Sequence, residues 1–78
     1  MGGGCMNEKQ DSLDLICDQI VKVVRTDRED CSWYAAQLRD GTWVHFYEMN
    51  PILQRFIFSS THCQRSYVDF TGQTQYER

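Results

Sequence analysis

The sequence predicts an α+β domain in which one N-terminal amphipathic helix packs on a three- to four-stranded antiparallel β-meander. Three observations carry that expectation. Apolar residues between Asp11 and Arg25 recur at helical spacing, an Asp-Gly pair separates two runs of β-forming residues, and 78 residues leave room for one modest core only. The last point excludes large multi-element enzyme folds, while 41% hydrophobic and 13% aromatic content excludes a disordered chain.

Residues 1–9 (MGGGCMNEK) are glycine-rich and without periodicity, so a flexible tail is expected there. Gly2 does not complete a myristoylation pattern, because Met6 stands where Ser or Thr is wanted. From Asp11 to Arg25, the residues Leu13, Ile16, Cys17, Ile20, Val21 and Val24 share one stripe at 100° per residue, opposite Asp14, Asp18 and Lys22. Asp11 or Ser12 can cap this helix, with acids near its N-terminus and Lys22 and Arg25 near its C-terminus, as the helix dipole favours. The β-branched run Ile20 to Val24 is the weak point, since it suits a strand as well.

The polar segment 26–30 connects to Ser32–Leu38, and Asp40-Gly41 then leads into Thr42–Glu48. Asp-Gly between apolar runs is a hairpin signal. The rival reading makes Ala35–Leu38 helical with Gly41 as its C-terminal stop. Asn50-Pro51 marks a break or a helix start, but Phe56–Ser60 reads better as a strand. A last short strand over Ser66–Phe70 ends at Gly72. The domain is thus expected over 10–72, with 73–78 a frayed tail.

Chemistry is sparse in this sequence. His45 and His62 are the only imidazoles, and no nucleophile elbow, zincin helix, phosphate loop or calcium loop accompanies them. Cys5, Cys17, Cys31 and Cys63 lack the paired spacing of a zinc site. No leader segment is read after Met1, so free thiols and a cytoplasmic location are expected. No catalytic residue, metal or cofactor is expected, and no apolar run reaches membrane-spanning length. His62-Cys63 as a base and thiolate is the remaining enzyme reading, disfavoured because neighbours on an extended segment face opposite ways.

The net charge of −3 lies wholly in residues 1–30, and the rest of the chain is balanced. Duplex nucleic acid is therefore an unfavourable partner, as its affinity comes largely from neutralised phosphates. The aromatics after Cys31 are too many for one helix-covered sheet face to bury, given period-two alternation. Exposed Trp, Tyr and Arg are typical of protein interfaces. The expectation is a non-enzymatic interaction module, a small regulator or inhibitor that binds a protein and can form a homodimer. Its candidate partner-binding residues are Trp33, Tyr34, Trp43, Tyr47, Arg39 and Arg55, with the helix acids Asp14 and Asp18. The alternative is a single-stranded nucleic-acid binder that stacks bases on the same rings. No motif here is specific enough to name a family.

Overall fold

A computed structural model describes residues 12–78. The expected tail at 1–9 lies outside them. The architecture is α+β, with a five-stranded antiparallel sheet and two helices. A short helix α1 (residues 12–17) leads into β1 (Ile20–Asp27), β2 (Ser32–Leu38) and β3 (Trp43–Phe46). Helix α2 (Pro51–Phe58) then precedes the hairpin of β4 (Arg65–Val68) and β5 (Thr74–Glu77). The strand order is β3-β2-β1-β5-β4.

The N-terminal helix is shorter than its apolar stripe implies. Helical structure stops at residue 17, and the β-branched run becomes β1. A β-bulge explains the misleading period: Ile20 pairs with Leu38 and Lys22 with Gln37, so two steps along β1 answer one along β2. Ile20 and Val23, three residues apart, thereby both reach the core, as they would on a helix. The end of α1 is closed by cations from distant segments. Arg78 donates from Nη2 to the Cys17 carbonyl at 2.7 Å and from Nε to that of Ile20 at 3.1 Å, and Arg39 donates to the Asp18 carbonyl.

The Asp-Gly hairpin forms as expected between β2 and β3. Gly41 has φ +93°, the Gly41 amide donates to the Leu38 carbonyl, and the Asp40 carboxylate accepts from the Thr42 amide at 2.9 Å. The segment read as a strand at Phe56–Ser60 is instead the end of α2. Asn50 caps that helix by accepting from the Leu53 amide at 2.9 Å, and Pro51 opens its first turn. Local β-propensity loses because Leu53 and Phe56, one helical turn apart, are both 0% exposed against the sheet.

The expected frayed tail at 73–78 is also corrected. Residues Thr74–Glu77 form β5, which sits between β1 and β4. The sheet therefore has five strands where three or four were expected. The strand is polar because alternation sends Thr74 and Tyr76 to the core side, where Tyr76 packs, while Gln75 and Glu77 face the other side. Its turn is built by Asp69, whose carboxylate accepts from the amides of Thr71 and Gln73, with Gly72 at φ +88°.

The core gathers Cys17, Ile20, Val23, Tyr34, Ala36, Leu53 and Phe56. It lies on the sheet face that α2 covers. Residues of opposite parity, including Val24, Trp33, Ala35, Trp43 and His45, form a second face that no described helix covers. No described helix is long and apolar enough to cross a membrane.

Candidate functional site

The helix-free face owes its shape to side-chain size at alternating positions. On β2 the outward residues are Trp33, Ala35 and Gln37; on β3, Trp43 and His45, with Tyr47 continuing the row just beyond the strand. Ala35 pairs with His45 and Gln37 with Trp43, so the small alanine falls between the two indoles. The result is a hollow of about 380 Å3 with Val24 and Ala35 beneath, bordered by Trp33, Trp43, His45 and Thr26. Gln73 donates from Nε2 to the Thr26 hydroxyl at 2.8 Å and closes one side.

The rings stand out of the sheet by mutual support. Trp33 and Tyr47 meet edge to face, with centroids 6.2 Å apart and planes at 89°. The Arg28 guanidinium lies 5.0 Å from the centre of the Trp33 ring, on the side of the β1–β2 turn. Trp33 and Trp43 each keep 43% of their surface exposed and Tyr47 keeps 75%, so part of the aromatic surplus is at the surface.

The remaining candidates separate from this group. Tyr34 is buried on the inner face, because its parity is opposite to that of Trp33. Arg39 serves the end of α1. Asp14, Asp18 and Arg55 form a second cluster around His62. Arg55 grips Asp14 with two hydrogen bonds, Nε to Oδ1 at 2.8 Å and Nη2 to Oδ2 at 3.2 Å. His62 is buried, stacks on Phe56, and faces Asp14 with Nε2 at 3.4 Å and Asp18 with Nδ1 at 3.6 Å. The acidic helix face is thus largely engaged within the chain.

The Arg55 hydrogen bonds, more than any other contact, hold the Asp14 carboxyl below its ordinary value. Since the folded-state pKa is depressed, this pair stabilises fully above the ordinary carboxylate range and its contribution is lost as pH falls through the folded value. Asp27, Asp40, Asp69 and Glu77 are lowered in the same direction by their own hydrogen bonds. Urea midpoints should therefore fall between roughly pH 5 and pH 2, and fall less steeply in Asp14→Asn than in the wild type. Equal slopes would remove Arg55–Asp14 from the acid response.

His62 and Cys63 have different partners: the imidazole faces the two aspartates, whereas the thiol donates to the Arg65 carbonyl. Among the described residues, no group of three or more His, Cys, Asp or Glu is placed to hold a metal ion. Sequence reasoning missed Arg28, Ala35, His45 and Gln73 as parts of the hollow. Alternation was enough to find Ala35 and His45, whereas Gln73 reaches Thr26 across 47 positions and left no local signal.

Comparison with protein-family models, curated proteins and solved structures gives no match to this chain. The chain is a small α+β protein whose antiparallel sheet presents an aromatic face that no described helix covers.

Proposed function

We propose that the chain is a non-enzymatic protein-binding module, a small regulator or inhibitor that recognises its partner through Trp33, Trp43 and Tyr47. The observation that carries this reading is the placement of both tryptophans, each 43% exposed, on either side of Ala35 on the sheet face that no described helix covers. Rigid aromatic rings around a small hollow are the usual anchors of protein interfaces. Asp14, Asp18 and Arg55 answer one another and are not needed for it.

Charge favours a protein over a single-stranded nucleic acid. A stacking platform for bases also needs free cations for the phosphates. Lys22 and Arg65, the bases on the outer face of β1 and β4, are both held by Glu77, Lys22 at 3.5 Å. Arg28 stands beside Glu29 and Asp30.

Affinity capture from a nuclease-treated lysate tests the reading. Trp33→Ala and Trp43→Ala should each lower capture at least about tenfold while leaving the far-UV spectrum unchanged, as expected of exposed anchor residues. Full capture by both folded variants, or capture that nuclease abolishes, refutes it.

A further inference from the structure

The hollow between the tryptophans adjoins a second depression of about 500 Å3 formed by Arg28, Glu29, Asp30, Cys31 and Trp33. Arg28 and Trp33 border both. We propose that the combined groove binds an extended, proline-bearing peptide segment of a partner protein, with a basic side chain of the peptide reaching Glu29 and Asp30. This rests on the reading of the helix-free face as the partner-binding surface, and it names the ligand chemistry.

The first argument is the location of the groove on a face of the sheet. A peptide added to a sheet edge gains main-chain hydrogen bonds, but one lying across side chains gains none. Its amides pressed against indole rings and Ala35 would lose water without finding an acceptor, which is costly. Proline has no amide hydrogen to strand. The polyproline II conformation also has no internal hydrogen bonds to break and little conformational freedom to lose.

Donor chemistry points the same way. The side chains lining the hollow include the Trp33 and Trp43 indoles and the Arg28 guanidinium, beside Thr26, His45 and Gln73, which can both donate and accept. Indole and guanidinium nitrogens only donate. A proline-bearing backbone, rich in carbonyls and poor in amide hydrogens, is the complementary ligand.

Spacing and charge then fix its extent and direction. Trp43 pairs with Gln37, four residues along β2 from Trp33, which sets the two backbone positions roughly 13 Å apart along the strand. Four residues of polyproline II cover about that distance at ~3.1 Å each. Beyond Trp33, Glu29 and Asp30 are exposed and in no ion pair among the described residues. Counting Arg28 against these two charges still leaves the segment negative, so the part of the peptide that passes Trp33 should carry a cation.

Both tryptophans of the chain line the groove, so their emission reports occupancy directly. The full chain is titrated with four probes: octaproline carrying a terminal arginine, the same peptide carrying glutamate, an alanine-glycine peptide of equal length with arginine, and octathymidylate. The arginine-octaproline peptide is expected to bind most tightly, on the order of fivefold better than its glutamate counterpart. Glu29→Gln with Asp30→Asn should erase that difference and keep octaproline binding, whereas folded Trp43→Ala should lose both. Binding of octathymidylate alone, equal binding of the alanine-glycine peptide, or no emission change with any probe overturns the proposal. If these peptides fail while Trp43-dependent protein capture persists, only the ligand chemistry is wrong. If capture fails too, the binding-module reading falls with it.

Discussion

Replacing Phe56 with alanine is expected to cost the domain ~3–5 kcal/mol of its stability at 25 °C. The ring is 0% exposed, projects from α2 onto the sheet, stacks on His62 and lies 5.9 Å beneath the Arg78 guanidinium. Truncating a buried Phe costs ~3–5 kcal/mol when the cavity cannot collapse. A domain of this size has a total stability of roughly 4–12 kcal/mol, so the loss is a large share of it. Collapse is restricted here because the ring is held between His62, Arg78 and the core residues of the sheet. Phe56→Leu, which leaves a smaller cavity, should cost clearly less than the alanine variant. Urea titration followed by far-UV circular dichroism separates the two, and a wild-type midpoint in Phe56→Ala would show that α2 is not the keystone of the core.

Deleting residues 74–78 is expected to abolish cooperative folding. The deletion removes β5, and with it both ladders that join β1 to β4. It also takes away the Arg78 donors at the end of α1 and uncovers Val23, whose pairing partner is Tyr76. A full-length Gln75→Pro variant tests the same point, since proline in an interior strand removes a ladder donor and is excluded from such positions. Thermal melts should show no transition for the deletion and a strongly lowered one for the variant. A sigmoidal melt near the wild-type temperature would mean that the β1–β2–β3 meander folds unaided.

The features legible in the sequence are those fixed by neighbours. Asp40-Gly41 announces its hairpin because the turn itself demands positive φ, and alternation from Trp33 to Trp43 puts aromatic rings on an outer face. The start of α2 was equally local, in Asn50 and Pro51, but the β-rich composition of Phe56–Ser60 argued against it, and only burial on the sheet decides between them. The end of α1 was hidden by a bulge that gives a strand the spacing of a helix. Strand β5 was hidden by its polarity: Glu77 looks like a tail residue until Arg65, Tyr67 and Lys22 converge on its carboxylate. The His62 cluster joins positions 48 apart, and no pattern in either segment anticipates the other.

The place of β5 sets a conflict between the order in which the chain is made and the order in which the sheet is filled. Strands β1, β2 and β3 leave the ribosome first and can zip by local hairpins, yet β1 then waits with one edge bare until β5 arrives between it and β4. The closing contact, Arg78 on the Cys17 carbonyl, spans 61 positions. A chain that lacks β5 therefore displays one unpaired edge of a strand rich in valine and isoleucine. The interval before β5 joins the sheet is when this protein is most exposed to misassembly with another copy of itself.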